Sequence, residues 1–127
     1  MRFFLLCLLV ISLILSACRQ QPTNAPEAGL RIDLALETDP PQVGPTELRI
    51  TLTRQGQPIE EARLEIRGDM AHAGMVPVLR SADADESGET RIPFEWTMGG
   101  LWFVEVIARL PDGSESRRIF EYEVAVP

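Results

Sequence analysis

Cysteine is scarce in this sequence: two residues, Cys7 and Cys18, both within the first eighteen positions. Beyond them there is no thiol to form a disulfide, to act as a nucleophile or to ligate zinc in a Cys cluster. Histidine is scarcer still, with His72 alone. A blue-copper centre, which needs a thiolate and two imidazoles, is thereby excluded, and zinc is left with too few of its preferred donors. Positive charge is also short, because 12 basic residues face 19 acidic ones for a net charge of −7. Nucleic acid and anionic lipid surfaces both demand clustered positive charge, so neither is expected as a partner, while a cationic partner is permitted. Apolar residues never recur at helical spacing beyond the first segment, and no internal repeat or low-complexity tract is present.

Met1 to Ala17 has the layout of a secretory signal. Arg2 supplies a short positive n-region, and Phe3 to Leu15 is an apolar stretch too short to span a bilayer as a helix. Leu15-Ser16-Ala17-Cys18 resembles the lipobox of bacterial lipoproteins, in which the cysteine becomes the lipidated mature N-terminus. Residues 1–17 are therefore expected to be a signal peptide. Cys18 is expected to carry lipid, and residues 18–29, polar and holding Pro22 and Pro26, to form a flexible tether. Without Arg2 the chain carries 11 arginines against 19 acidic residues, a net charge near −8. The expected location is extracytoplasmic and membrane-anchored. In a Gram-negative cell Arg19, standing where an aspartate would resemble an inner-membrane retention signal, points to the outer membrane and periplasm; otherwise the outer face of the cell membrane is expected.

From Leu30 onward the apolar period is two, which predicts strands. Leu30, Ile32, Leu34 and Leu36 alternate with polar neighbours until Asp39-Pro40-Pro41, where the prolines have no N–H for a ladder. Leu48, Ile50 and Leu52 form a second strand, followed by a hairpin-type turn at Gln55-Gly56-Gln57-Pro58. Ala62, Leu64 and Ile66 face inward on a third. Val76 to Leu79 reads as a short edge strand because Pro77 lies inside it, and Ser81 to Gly88 as a loop. Its carboxylates Asp83, Asp85 and Glu86 lack the spacing of an EF-hand and read as a solvated acidic turn. Ile92, Phe94 and Trp96 form the fifth strand. The sixth, with Trp102, Val104, Val106 and Ala108 on one face and Leu101, Phe103 and Ile107 on the other, is apolar on both sides and predicted to be central. Asp112-Gly113 turns the chain into a seventh, where Phe120, Tyr122, Val124 and Val126 alternate.

About seven strands with turn signals between them predict an all-β, immunoglobulin-like antiparallel sandwich over residues 30–127. Its predicted core is Leu34, Leu36, Ile50, Leu52, Leu64, Ile66, Phe94, Trp96, Trp102, Val104, Val106, Phe120 and Tyr122. Side chains of that size contribute about 1.5 to 3 kcal/mol each on full burial, enough to dispense with a disulfide.

The chemistry-bearing stretch is Asp69-Met70-Ala71-His72-Ala73-Gly74-Met75, with a further sulfur at Met98 in Thr97-Met98-Gly99-Gly100. Thioether and imidazole are soft and borderline donors that suit Cu(I). In an antiparallel chain of alternating strands the third and fifth connections emerge at the same end, so Met98 is placed to complete a set with Met70, His72 and Met75. If the third strand continued as far as His72, Met70 and His72 would share a face. The plainer reading has the methionines as packing, with Met98 plugging the core between Trp96 and Trp102, and a solvated histidine. Catalysis is not expected, since no motif links His72 to a serine and Glu60-Glu61 has no apolar surroundings to separate its pKa values.

Met70-x-His72-x-x-Met75-x-Pro77, followed by Gly88-x-Thr90-x-x-Pro93-Phe94-x-Trp96-x-Met98-x-Gly100-x-Trp102, resembles the YtkA-like and FixH-like domain of bacterial exported proteins. The resemblance implies a β-sandwich and, in some members, copper handling or assembly of a cytochrome oxidase. Carried over by position, the implied ligands are Met70, His72, Met75 and Met98. FixH-like members are anchored by a transmembrane helix where this chain has a lipobox, and a second histidine is missing here. Two functions follow: a lipid-anchored Cu(I)-binding protein, or an immunoglobulin-like interaction or structural module that binds another envelope protein without metal.

Overall fold

A strand that alternates apolar and polar residues has one face to bury, and two sheets stacked face to face bury both. The computed structural model describes residues 29–127, which take this form. The strands are β1 Leu30–Leu36, β2 Gly44–Arg54, β3 Gln57–Pro58, β4 Arg63–Met70, β5 Val78–Asp83, β6 Glu89–Trp96, β7 Gly100–Arg109 and β8 Glu115–Val124. One four-stranded sheet holds β1, β2, β3 and β6, all joined through β2, and the other has the order β5-β4-β7-β8. Every strand pair is antiparallel. The expected signal peptide, Cys18 and tether lie outside the described residues.

All seven predicted strands are present, and the eighth, β3, is a two-residue return from the predicted turn. Gln55 and Gly56 both have positive φ, 51° and 80°, the backbone of a type I′ hairpin whose twist matches the flanking strands. Three boundaries differ from expectation. The edge strand β5 starts after Pro77 and runs on through Ser81 to Asp83, because pairing with β4 continues from Gly68↔Val78 to Arg63↔Asp83. Ser81–Asp83 are thus strand rather than loop. β4 stops at Met70. β8 stops at Val124, and Val126 is exposed.

Leu48, Ile50, Leu52, Leu64, Ile66, Trp96, Trp102, Val104 and Val106 are the largest fully buried side chains. Leu34, Leu36, Phe120 and Tyr122, predicted for the core, only pack against its margin. They sit on β1 and β8, which lie at the sheet edges, and an edge strand has neighbours on one side only. Ile32, Leu48, Ile92 and Val124 are buried instead. β7 is central, as its two apolar faces predict.

At one end of the sandwich the aromatic rings meet edge to face: Trp96 lies 5.0 Å from Phe94, 5.3 Å from Trp102 and 5.7 Å from Tyr122 between centroids. This is the end where β4, β6 and β8 finish and β2, β5 and β7 begin. There the sheets are also laced by Val43 N–H donating to Ala125 O (3.0 Å) and Ala125 N–H to Pro41 O (2.9 Å). The chain enters at the opposite end, where Leu30 pairs with Arg54.

Candidate metal site

β4 delivers Met70 to the aromatic end as its last residue, opposite Trp102. The side chain is half-buried, and its methyl carbon stands 3.1 Å from where a Cβ on Gly100 would be. Gly100 has φ +121°, a conformation L side chains rarely adopt, so glycine is needed there both for the backbone and for the approach of the sulfur-bearing chain. The backbone at Met70 is held by its N–H donating to Asp69 Oδ1 at 2.9 Å. Arg67, hydrogen-bonded to the other carboxylate oxygen at 2.9 Å, is the main reason the Asp69 carboxyl lies below its ordinary range.

Beyond Met70 the strand is over. Ala71 to Gly74 bend away, with Gly74 at φ +86°, so His72 stands on a turn and does not share a strand face with Met70. Its ring is exposed, and Nδ1 lies 3.1 Å from Ala73 O. A carbonyl only accepts, so Nδ1 carries the hydrogen and, in the neutral ring, Nε2 presents a lone pair outward. Met75 returns to the sandwich half-buried against the core.

Met98 sits in the connection from β6 to β7. The indole Nε1–H of Trp102 donates to Met98 O at 2.9 Å, which pins the loop backbone while the side chain remains 45% exposed. Met98 therefore does not plug the core. The structure brings both methionine-bearing connections to one end, as strand alternation predicts, with Met70 touching the first residue of β7. No hydrogen bond links His72 to a methionine sulfur among the described residues. Nor do any three His, Cys, Asp or Glu side chains among them gather as a metal-holding group, so thioethers are the donors this end concentrates.

Two supporting residues were not singled out from sequence: Trp102 as a hydrogen-bond donor and Gly68 as a packing site. The first was marked by its place four residues after Met98, the second by being a glycine inside a strand. Tyr122, beneath the same end, is pushed up to about 12, mainly by burial and then by the negative charge of Asp39, against the opposing effect of Arg118.

An antiparallel β-sandwich with methionine-bearing loops at one pole is the class that fold and site define. Residues 24–107 match the family described as YtkA-like, more than half of the chain, and the protein belongs to that family. No curated protein matches it significantly. Among solved structures it is similar to superoxide reductase (neelaredoxin) from Ignicoccus hospitalis, at 10% identity and TM-score 0.56, over 76% of this chain and 82% of that one. A single-substitution variant of that reductase aligns at 11% identity and TM-score 0.56, over 77% and 83%. The chain is also similar to the PmoD soluble domain from Methylocystis sp. ATCC 49242 (Rockwell), at 12% identity and TM-score 0.51, over 76% and 90%. At these identities the likeness shows the fold.

Proposed function

We propose that this protein is held on the extracytoplasmic side of a membrane by lipid on Cys18 and binds Cu(I) as cargo through Met70, His72, Met75 and Met98, in copper handling or oxidase assembly. The observation that carries the reading is the convergence of the two methionine-bearing connections on one pole. The donor set suits the ion: three thioethers and one imidazole nitrogen are soft to borderline, with no thiolate to hold the cargo irreversibly. Exposure grades the donors. Met70 and Met75 are partly buried and anchored, whereas Met98 and His72 stand outside, where an incoming acceptor's ligands can replace them one at a time. The role is that of a carrier, not a catalyst.

The competing reading is an immunoglobulin-like interaction module without metal. It draws on the packing of Met70 over Gly100 and of Met75 against the core. Titration with Cu(I) against a competing chelator separates the two. Wild type is expected to take the ion from the chelator, with His72→Ala and Met75→Ala each about tenfold or more weaker, the cost of a lost ligand or of its support. Equal, weak binding by all three proteins leaves only the interaction module.

A further inference from the structure

The described residues segregate their charge along the long axis of the sandwich. By backbone register, the arginines nearest the methionine-bearing pole are Arg67, paired with Glu105, and Arg49 and Arg91, paired with each other. Arg80, one step farther from the pole, bends its Nε–H to Pro93 O at 3.1 Å, level with Glu47. Beyond these, toward the pole, the charged residues are all carboxylates. Asp69 and Glu47 are met from below by Arg67 at 2.9 Å and Arg91 at 3.7 Å. Asp39, Glu95, Glu121 and Glu123 are exposed and have no ion pair among the described residues.

Beside these carboxylates the pole also exposes large apolar side chains. Of the six exposed large hydrophobic side chains among the described residues, four lie at this pole: Val76 at 82%, Met98 at 45%, Leu101 at 41% and Val126 at 76% exposure. Val126 is seated against Gly99, its Cγ2 2.6 Å from where a Cβ on that glycine would stand. The other two, Leu79 and Ile119, lie farther from the pole on the outer face of the β5-β4-β7-β8 sheet, a face that Leu101 shares, beside Arg67 and Glu105 in register. Solvent-exposed apolar residues concentrated in one place and rimmed by polar ones mark an interaction surface.

We infer that this pole is the docking surface for a protein whose contact face has an apolar centre ringed by lysine or arginine. A rim of unpaired carboxylates attracts and orients such a face and repels the alternatives. A second copy of this chain would set acidic rim against acidic rim, and an anionic membrane is repelled in the same way. The first described strand begins at the opposite pole, the far end of the sandwich from this surface. The inference holds whether or not the pole binds copper.

The test uses the 15N-labelled full chain in phosphatidylcholine nanodiscs, with a synthetic helical peptide bearing leucines on one face flanked by lysines. The same peptide with glutamate for lysine is the control. Amide shifts are expected at Val76, Met98, Leu101 and Val126 with the lysine peptide and not with the control. Affinity is expected to fall roughly tenfold or more between about 50 and about 300 mM salt, and by a similar factor in a Glu121→Lys/Glu123→Lys variant. The inference is overturned if both peptides bind alike, if the shifts centre on Leu79 and Ile119, or if none appear at millimolar peptide. It is equally overturned if the pole's amides are already occupied by disc lipid or by a second copy.

Discussion

The indole of Trp102 donates a hydrogen bond to the carbonyl of Met98 across 2.9 Å, so a fully buried core residue holds the backbone of an exposed sulfur-bearing loop. Trp102→Phe deletes that donor and leaves a void beneath the loop. We expect a loss of about 2 to 3 kcal/mol in urea unfolding, combining cavity and hydrogen-bond costs. Amide exchange at residues 97–100 should quicken, and Cu(I) affinity should drop although no ligand has been removed. Unchanged exchange would show that the loop holds itself.

Gly68, on β4, leaves room for the ring of Phe94 from the facing sheet. A Cβ there would lie 2.4 Å from Phe94 Cζ and 3.4 Å from Trp102 Cζ3. Its φ is not in the left-handed region, so a substitution acts through packing alone. Gly68→Ala should lower stability by about 1 to 3 kcal/mol through overpacking. In a double-mutant cycle, Phe94→Leu should recover part of that loss, with a coupling of about 0.5 kcal/mol or more. Simple additivity of the two would refute the contact.

Met98 and Met70 separate binding from stability. Met98→Leu, on an exposed side chain, should leave the unfolding midpoint within about 0.5 kcal/mol of wild type. Met70→Leu, placing a branched chain over Gly100, should cost up to about 1.5 kcal/mol. Both should weaken Cu(I) retention in chelator competition. A pair of variants that differ in stability but not in copper binding would assign the sulfurs to packing.

Tyr122 sets an upper pH limit. Its folded pKa of about 12 lies above the ordinary value of 10.0. The unfolded chain therefore releases this proton first as pH rises, and stability falls with pH over that interval. Its contribution is complete below pH 10 and gone above about pH 12. Urea midpoints measured from pH 8 upward should hold level and then decline, with a shallower decline in Tyr122→Phe. Parallel declines in the two proteins would locate the alkaline sensitivity elsewhere.

Much of this architecture is legible in the sequence. The alternation of Leu48, Ile50 and Leu52, or of Trp102, Val104 and Val106, is a local property that any strand must honour, and it placed those strands and the central position of β7. Gln55-Gly56 announced its hairpin because few residues accept positive φ. The end of β5 was not legible, since Ser81 to Asp83 are strand only through the neighbouring β4, which supplies their partners. The half-burial of Leu34 and Phe120 was hidden for a related reason, because periodicity states which face points inward but not which strand lies at an edge.

The Met70 to Met75 stretch shows the same division most sharply. Sequence alone placed three thioethers and one imidazole in or beside two connections, and strand parity put those connections at one pole. Tertiary structure decided that β4 ends at Met70 and turns His72 out into solvent. It decided too that Met70 lies on Gly100, that Met98 is exposed with its carbonyl pinned by Trp102, and that the nearby arginines stay below the unpaired carboxylates of the rim. Donor identity and side-chain alternation are carried by neighbouring residues and can be read in order. Burial, exposure and the field around a sulfur are set by partners far along the chain, and those become neighbours only when the two sheets close on each other.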